Sequence, residues 1–405
     1  MTIHNNQSFE ACKLLITFFK TKNPISYENI SGRTYNITKG VLRWHDQLKQ
    51  VINIQCKNPP KKNSVLEILM LVGLYQKFFL DFNPRTEILT ACKIFGLANI
   101  SGFLDAVILR AKFPDRLEFL SDSFFKTQVE LDWPNKSYYL MLANLNSAPN
   151  TIRIIDNEQF LKKNMGHKSY CSWIVEKDLV VLPENILPQN LNGFFEGDFY
   201  IQGAYFQVLK KFLVNKNHLK ILDACCGVGG KSFILREIFS SNCQIILNDS
   251  NPKQINKLRS NIERLGGVFD KIYNLKLAEL PEKDFDLIIL DVPCSDSGNI
   301  RKHPELLFRI TDKEIRRINI IQKELLYNAW NKLRVGGELI YMTCSIFKKE
   351  NAMMISKFLD INKNAQSCVL DYDKSSNIEK DKLGLQILPN EKHCGFFFSK
   401  IIKLS

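Results

Sequence analysis

The feature that most constrains the fold is a continuous apolar run at residues 287–290, followed by a turn that carries reactive side chains. Runs of this length, bracketed by turn residues, are typical of central parallel strands covered on both faces. Asp291 ends the run, and Cys294 follows it after Pro293. Because ligands in open α/β sheets lie beyond the carboxyl ends of the strands, we expect Asp291 and Cys294 to lie at a functional site. An ordinary polar turn would look the same in isolation, so this interpretation depends on other stretches of the chain.

From about Gly203 to the C-terminus, strand-like runs alternate with helical patterns. This alternation predicts an α/β fold with a doubly wound parallel sheet. One predicted helix ends at Gly266, and another opens with a capping box from Thr311 to Glu314. The predicted strands are residues 220–224, 244–248, 272–275, 287–291, 338–343 and 395–401.

Length and composition limit the class of protein. With 405 residues, the chain is too long for one compact core and is expected to hold two or three domains. Its apolar runs are too short to span a membrane, and its N-terminus lacks the basic start and apolar core of a secretory signal. The 11 cysteines are an odd number without a CxxC pair, so we expect a reducing, cytoplasmic environment and neither disulfide scaffold nor zinc site. The net charge of +13 favours a polyanionic partner such as RNA or DNA, although an AT-rich genome would give a similar lysine excess.

The N-terminal third reads as helices, from about Ser8 to about Phe125. Residues 64–79 are apolar nearly all round, which predicts the central helix of an all-α bundle that binds or docks. From Trp133 onward, short strand-like runs alternate with helix and predict a small α+β segment. These runs are residues 138–142, 157–163, 179–182 and 199–201. The predicted domains are therefore residues 1–132, 133–202 and 203–405.

A glycine-rich loop at residues 225–231 follows a predicted strand and opens a helix. Glycines there let the backbone approach a ligand and leave helix N–H groups pointing at it. A P-loop does not fit, because Cys225 stands where that pattern requires glycine. A dinucleotide, S-adenosylmethionine and a structural turn remain open from the loop alone. Asp249, at the end of the next strand, favours a nucleoside because it can accept hydrogen bonds from both ribose hydroxyls, although it could also cap the following helix.

A second cysteine, Cys344, ends the predicted strand 338–343. In a plausible strand order this strand lies beside the one that ends at Asp291, so two thiols, a carboxylate and Lys231 would share one site. A lone cysteine at a strand end is most often inert. Two of them at adjacent strand ends favour chemistry.

Together these motifs resemble those of the RNA cytosine carbon-5 methyltransferases. The helical segment ahead of them resembles the NusB-type RNA-binding bundle, a domain order similar to that of the bacterial 16S ribosomal RNA cytosine methyltransferases. The implied fold is a Rossmann-like, S-adenosylmethionine-dependent methyltransferase domain, preceded by an all-α NusB-like bundle and a small α+β segment. The stretches similar to family motifs are residues 223–232 (glycine loop), 291–294 (Asp-x-Pro-Cys), 301–305 (Arg-x-His-Pro-Glu), 343–345 (Thr-Cys-Ser) and 387–397 (Ile-Leu-Pro to Gly-Phe-Phe).

The resemblance implies methylation of carbon 5 of a cytosine in 16S ribosomal RNA. A thiolate that adds to carbon 6 makes carbon 5 nucleophilic enough to attack a methyl group. By resemblance Cys344 is that nucleophile and Cys294 assists product release. Asp291 would hold the exocyclic amine and ring nitrogen 3, while Lys231 would orient the base or lower a thiol pKa. The residues implied in binding S-adenosylmethionine are Cys225, Cys226, Gly227, Val228, Gly229, Gly230, Lys231, Asp249 and Asp291.

The implied partner is small-subunit ribosomal RNA. We expect no membrane association and no bound metal, and we expect the protein to be a monomer. The same reaction on transfer RNA, or a non-catalytic RNA-binding assembly factor, are the alternatives. The basic residues beside the site would contact phosphates or form a solvated turn; they are Arg301, Lys302, His303 and Arg309.

The chain departs from the family pattern in three places. Gly227-Val228 replaces Ala-Pro in the glycine loop, Glu279 is a displaced substitute for an adenine-facing aspartate, and Leu142-Ala-Asn144 replaces an Arg-x-Asn pair. These departures affect residues expected to contact the cofactor and the RNA, and they leave the two cysteine motifs intact.

Overall fold

The computed structural model describes residues 6–80, 83–120, 123–166, 174–176, 178–182, 186–203, 206–213, 217–370, 372, 377–390 and 393–405. The described helices are α1 (Gln7–Thr21), α2 (Gly32–Arg43), α3 (His45–Gln55), α4 (Val65–Phe79), α5 (Arg85–Ile94), α6 (Ser101–Arg110), α7 (Phe124–Asp132), α8 (Ser137–Ala143), α9 (Asn157–Asn164), α10 (Phe206–Phe212), α11 (Gly230–Ile238), α12 (Pro252–Leu265), α13 (Leu306–Arg309), α14 (Asp312–Lys332) and α15 (Ala352–Ile361). The described strands are β1 (Asn150–Ile154), β2 (Ile174–Glu176), β3 (Leu179–Leu182), β4 (Phe199–Ile201), β5 (Lys220–Asp223), β6 (Gln244–Asn248), β7 (Lys271–Tyr273), β8 (Phe285–Asp291), β9 (Leu333–Thr343), β10 (Ala365–Cys368), β11 (Ile378–Asp381), β12 (Gly384–Ile387) and β13 (Phe396–Lys403).

The chain folds into two compact units, and each is built from two pieces of sequence. A helical unit contains Met1–Asn146 and Ile300–Thr311, and an α/β unit contains Ser147–Asn299 and Asp312–Ser405. The three-part division expected from the sequence stays a prediction. None of the helices within the described ranges is long and apolar enough to cross a membrane.

The helical unit is organised around α4. Ser64 caps this helix by accepting a hydrogen bond from the backbone N–H of Glu67, and every residue from Glu67 to Gln76 is buried. The apolar run at residues 64–79 therefore forms the buried central helix, as the sequence predicts. The helical N-terminal part of the fold prediction is confirmed.

A small antiparallel sheet precedes the large sheet in the sequence, with strand order β2-β3-β1-β4. The runs at residues 179–182 and 199–201 are strands, as expected. The strand expected at residues 138–142 is wrong, because α8 covers it and packs against α7. The strand-like run expected at residues 157–163 is also wrong, because these residues lie in the helix α9. Asp156 caps its first turn by accepting a hydrogen bond from the Gln159 N–H.

The large sheet has the order β11-β12-β13-β9-β8-β5-β6-β7, with β10 paired to β13. The strands from β9 to β7 in this order are parallel, whereas β13, β12 and β11 add antiparallel at one edge. Alternate residues of the central strands enter cores on the two faces, Ile221 and Ile289 on one and Leu222 and Ile288 on the other. The prediction of a central β8 covered on both faces is confirmed.

The strand order places β5 at a switch point, because its neighbours β8 and β6 both follow it in sequence and lie on opposite sides. Ligands in open α/β sheets bind at the carboxyl ends of strands beside such a point. The strands that end there carry Asp223, Asn248, Asp291 and Thr343 as their last residues.

Candidate active site

The two predicted cysteines meet at the carboxyl edge of the sheet. The sulfur atoms of Cys294 and Cys344 are 2.9 Å apart. β8 and β9 are parallel neighbours with Asp291 opposite Met342, so the loops that follow them begin side by side. Both cysteines are only partly buried. Two thiols that face each other at the mouth of a sheet can act on the same substrate ring.

A buried carboxylate ties these two loops together. Glu350 accepts hydrogen bonds from the Ser295 backbone N–H (2.8 Å) and hydroxyl (2.5 Å), the Ser345 hydroxyl (2.6 Å) and the Gln322 amide (3.1 Å). Burial raises the pKa of Glu350, and the hydrogen bonds from Ser295 and Ser345 act in the opposite direction. Ser295 and Ser345 directly follow the two cysteines, so Glu350 fixes the backbone that positions both thiols.

Asp296 is a site residue that the sequence analysis missed. Its Oδ1 accepts a hydrogen bond from the Cys344 thiol at 2.8 Å and another from the Asn299 side-chain amide at 2.7 Å. Its backbone is left-handed, with φ of 62°. The signal in the sequence is a carboxylate two residues after Cys294, which by itself does not show that it faces the other cysteine.

Neither thiol ionises easily in this arrangement. The hydrogen bond with Cys294, burial, and the charges of Cys294, Asp296 and Asp291 raise the pKa of Cys344 well above its ordinary value. For Cys294 the hydrogen bond with Cys344 lowers the pKa, but burial with the charges of Glu350 and Asp296 outweighs it, and the pKa is raised. A nucleophilic thiolate at neutral pH therefore requires a proton acceptor at the site.

The buried Lys231 forms an ion pair with the partly buried Asp291 beside the thiols. Lys231 lies in the first turn of α11, is 8% exposed, and its ammonium contacts Asp291 Oδ2 at the end of β8. Burial lowers the pKa of Lys231, but the charges of Asp291 and Asp223 outweigh it and raise the pKa above its ordinary value. The ammonium also lies 5.3 Å from the centre of the Phe206 ring. The lysine stays charged and holds the Asp291 carboxylate in one orientation.

The glycine loop has the shape expected of a ligand cradle. Gly227 and Gly229 have positive φ, 55° and 97°. A side chain at Gly229 would meet Leu258 at 2.6 Å, whereas one at Gly227 or Gly230 would meet no described atom within 4 Å. The loop is therefore packed against α12 at Gly229 and open at Gly227 and Gly230. The helix α11 begins at Gly230, so its first N–H groups lie at this loop.

The remaining predicted cofactor residues occupy different positions around this loop. The Asp249 carboxylate accepts hydrogen bonds from the Gly227 N–H (2.9 Å) and the Asn251 N–H (2.8 Å), and Asn251 rather than Asp249 caps α12. Cys225 is partly buried and Val228 is 41% exposed. Cys226 is 1% exposed and packs in the sheet core, so its side chain faces away from solvent. An open glycine loop beside an acidic residue at the next strand end fits a nucleoside cofactor.

The cluster of sulfurs and carboxylate does not have the spacing of a metal centre. Among the described residues, one group of this kind, Cys294, Asp296 and Cys344, has its ligand atoms within 4.8 Å of one another. With Zn–S bonds of about 2.3 Å, two thiolates on a tetrahedral zinc stand roughly 3.8 Å apart. The sulfurs of Cys294 and Cys344, at 2.9 Å, are closer than that.

Comparison with known proteins supports the arrangement. Residues 210–402 match the family described as 16S rRNA methyltransferase RsmB/F. The chain is 28% identical to the ribosomal RNA small subunit methyltransferase B of Escherichia coli O6:K15:H31, in an alignment that covers 90% of this chain and 88% of that protein. It is 27% identical to the probable ribosomal RNA small subunit methyltransferase B of Coxiella burnetii, with 90% of each protein covered. The crystal structure of PH0851 shares the fold over 100% of both chains (TM-score 0.74, 19% identity). NSun6 from Pyrococcus horikoshii with SFG covers 70% of this chain and 98% of its own (TM-score 0.59, 18% identity).

Proposed function

We propose, from the match of residues 210–402 to the family of 16S rRNA methyltransferases RsmB/F, that the chain methylates carbon 5 of a cytosine in 16S ribosomal RNA through a covalent Cys344–cytosine intermediate. The fold is that of a Rossmann-like methyltransferase, and S-adenosylmethionine is the cofactor. When bound, it supplies an electrophilic methyl group on a positively charged sulfur. The glycine loop from Cys225 to Lys231 would hold it, with Asp249 toward the ribose.

The observation that carries the proposal is the 2.9 Å separation of the Cys294 and Cys344 sulfurs beside the Lys231–Asp291 pair. A methyltransferase acting on a nucleophilic oxygen or nitrogen needs no thiol. Carbon 5 of cytosine is a poor nucleophile until a thiolate has added to carbon 6, so a pair of thiols matches this reaction.

The residues divide the chemistry between them. Cys344 Sγ forms a bond to carbon 6, and the electron pair of the ring double bond moves toward ring nitrogen 3. Asp291, held by Lys231, accepts hydrogen bonds from the exocyclic amine and from the N–H of nitrogen 3, whose proton comes from water and neutralises the electron pair that arrives there. After methylation the proton on carbon 5 passes to water, and its electron pair re-forms the carbon 5–carbon 6 double bond. The sulfur–carbon 6 bond breaks with its pair returning to Cys344, nitrogen 3 gives its proton back to water, and Cys294 assists this release.

The substrate base must leave its helix to reach the thiols. A base stacked inside a duplex cannot expose both carbon 5 and carbon 6, so the cytosine lies in a loop or is flipped out. The net charge of +13 favours binding to the RNA backbone.

The test compares the two cysteines in the full-length protein with labelled S-adenosylmethionine and RNA. Cys344→Ala is expected to abolish methyl transfer and to leave cofactor binding unchanged in calorimetry. Cys294→Ala is expected to accumulate a covalent protein–RNA adduct, seen as a gel shift that survives denaturant, because the enzyme–base bond still forms and is not released.

Cys368→Ala is the matched control, since this partly buried cysteine lies in β10, which pairs with β13 and carries neither of the two loops that hold Cys294 and Cys344. It is expected to behave as the wild type. Turnover by Cys344→Ala would show that the nucleophile is misassigned. Transfer to transfer RNA but not to 16S ribosomal RNA would change the substrate, and no transfer by the wild type to either would favour a non-catalytic RNA-binding factor.

A further inference from the structure

We propose that Asp296 is a catalytic residue that takes the proton from Cys344 as the sulfur bonds to the substrate ring. This inference rests on the proposed function, because it names the base for the nucleophile of that reaction. Its carboxylate touches the reacting atom directly: Cys344 Sγ donates to Asp296 Oδ1 at 2.8 Å. A general base must lie within hydrogen-bond reach of the proton that it removes, and Asp296 meets this condition.

The other acidic groups at the site are already engaged. Asp291 is paired with the Lys231 ammonium at the end of β8. Glu350 is buried and accepts hydrogen bonds from Ser295, Ser345 and Gln322. Cys294 is itself a thiol whose pKa is raised, so it keeps its own proton at neutral pH and cannot take a second one from Cys344. Asp296 is the carboxylate among them that accepts the Cys344 hydrogen bond and is partly exposed to solvent.

The loop that carries Asp296 is fixed to the loop that carries Cys344. Asn299 donates its backbone N–H to the Asp296 carbonyl (2.8 Å) and its side-chain amide to Asp296 Oδ1 (2.7 Å). Gly298 donates its N–H to the Cys344 carbonyl at 2.9 Å. The left-handed backbone at Asp296, φ 62°, turns the side chain back toward this contact. A non-glycine residue in that conformation is held there by its surroundings.

The charge of Asp296 affects Cys344 in two opposite ways. In the resting protein a carboxylate beside a thiol discourages a free thiolate, and it contributes to the raised pKa of Cys344. In the reaction the same carboxylate provides a place for the proton. Proton loss and carbon–sulfur bond formation therefore occur together, rather than through a thiolate that exists beforehand.

The step needs water as its only further reactant. The S–H bond of Cys344 breaks, its proton goes to Asp296 Oδ1, and its electron pair forms the bond to carbon 6. The carbon 5–carbon 6 π pair moves toward nitrogen 3, which takes a proton from water. On release the sulfur–carbon bond breaks, the electron pair returns to Cys344 Sγ, and the thiolate recovers its proton from Asp296.

The first test measures Asp296→Asn in the full-length protein. Asparagine tolerates a left-handed backbone and keeps the size of the side chain, but it is not a base. Single-turnover methyl transfer is expected to fall about 10²- to 10⁴-fold, the usual contribution of a general base. The pH midpoint of Cys344 alkylation by iodoacetamide, followed by peptide mass spectrometry, is expected to move to lower pH because a negative charge has been removed. A thiol that ionises more readily in an enzyme that transfers more slowly is the signature of a lost base.

A second variant separates a base from a structural support. Asp296→Gly keeps the left-handed backbone and leaves space for a small carboxylate. Formate is expected to restore part of the methyl transfer in Asp296→Gly and none in Asp296→Asn, where the side chain fills the space. Asp284→Asn is the matched control, because Asp284 is exposed and has nearly the same backbone conformation, φ 60°.

The outcomes distinguish this inference from the proposed function. Full transfer by Asp296→Asn, an alkylation midpoint that stays in place, or lack of rescue by formate would each overturn the role of Asp296. If the wild type methylates no RNA, the proposed function fails, and the alkylation midpoints of wild type and Asp296→Asn still decide whether the carboxylate controls Cys344 ionisation.

Discussion

Two aspartates at the site have different electrostatic surroundings. Asp291 has the Lys231 ammonium as a direct partner. Asp223, at the end of β5, is fully buried, accepts a hydrogen bond from the Ser232 hydroxyl at 2.7 Å, and has no direct ion-pair partner among the described residues. Burial, against the opposing charge of Lys231, raises the pKa of Asp223 to about 6. The folded state therefore keeps a proton on Asp223 that the unfolded chain loses at lower pH.

Asp223→Asn is expected to change how stability depends on pH. Between pH 3.8 and about 6 the folded wild type binds more protons than the unfolded chain, so the contribution of Asp223 to stability is present below this window and is lost above it. A shift of about two pKa units corresponds to about 3 kcal/mol. The free energy of unfolding of Asp223→Asn minus that of wild type should therefore rise by roughly 2 kcal/mol from pH 4 to pH 7, because part of the full difference lies below pH 4.

Urea denaturation at a series of pH values measures this difference. The amide introduced by Asp223→Asn would keep the hydrogen bond from Ser232, so the comparison isolates the charge. Asp284→Asn changes an exposed aspartate in the same unit and should give a difference that varies little with pH. A flat profile for Asp223→Asn would show that Asp223 is ionised in the folded protein throughout this range.

The sequence located the site residues that carry recognisable motifs, and it missed the one that depends on a turn. Three predicted residues lie at or just after the ends of apolar runs that indicate strands: Asp291, Cys294 and Cys344. The structure brings these three residues together. Asp296 lies 48 positions from Cys344 in the sequence and contacts its thiol. It does so from a left-handed backbone conformation that is uncommon for residues other than glycine. No local pattern shows which way such a side chain faces.

At the scale of elements, apolar runs identified the central strands but not their directions. The strand predicted at residues 244–248 coincides with β6, and that at 287–291 is β8 extended by two residues. The run at residues 395–401 is indeed a strand, but β13 pairs antiparallel with β9. The β11–β12 hairpin and β10 were not predicted, because these short strands are only partly apolar and their place depends on distant partners.

Three elements converge on Gly298, in the loop after β8. Its N–H donates to the Cys344 carbonyl at 2.9 Å, and its carbonyl accepts from the Gly395 N–H at 2.8 Å, just before β13. A side chain there would lie 2.3 Å from the Gly395 carbonyl oxygen and 2.7 Å from that of Cys344. Both neighbours are backbone, so they cannot rotate away, and the loop would have to move.

Gly298→Ala is therefore expected to slow methyl transfer at least about 10-fold, because small displacements of reacting groups are costly in rate. It is also expected to lower the free energy of unfolding by about 1–3 kcal/mol, the usual cost of overpacking. Gly102→Ala is the control: this exposed residue of α6 has open space around it, and alanine favours a helix. Equal transfer rates for Gly298→Ala and wild type would show that the loops need not be held this closely.

At the scale of the whole molecule, the chain enters the helical unit twice. After β8 and the loop with Cys294 and Asp296, residues 300–311 fold with residues 1–146, and the chain then returns to the α/β unit at α14. The Arg43 guanidinium donates to the Arg301 carbonyl at 2.9 Å, and the Lys39 ammonium donates to the Lys302 carbonyl at 2.6 Å. Arg301 is 3% exposed, so the sequence expectation that this basic turn contacts phosphates does not apply to Arg301. Sequence patterns place helices and strands, but they do not show that a loop of one unit belongs to the core of another.

The aromatic side chain of Phe308 anchors this returning segment. Its ring contacts those of Phe19 and His45 at centroid distances of 5.2 and 5.0 Å, and it lies beside the core of the helical unit. Phe308→Ala is expected to destabilise the helical unit by about 2 kcal/mol, less than a fully buried phenylalanine because the ring is partly exposed. The α/β unit does not contain Phe308, so S-adenosylmethionine affinity measured by calorimetry should stay unchanged.

Methyl transfer should nevertheless fall in Phe308→Ala, because residues 294–299 are continuous with the anchored segment and a loosened anchor gives the thiol loop more freedom. The decisive measurement is single-turnover transfer at saturating cofactor, compared with the thermal unfolding of the same sample. Leu109→Ala removes an apolar side chain from the helical unit that is 55% exposed, and it should alter neither quantity appreciably. Lower stability with an unchanged rate of methyl transfer would mean that the helical unit supports residues 300–311 without influencing the chemistry. A loss of both stability and transfer rate would show that the anchoring of residues 300–311 affects Cys294 and Asp296 along the chain.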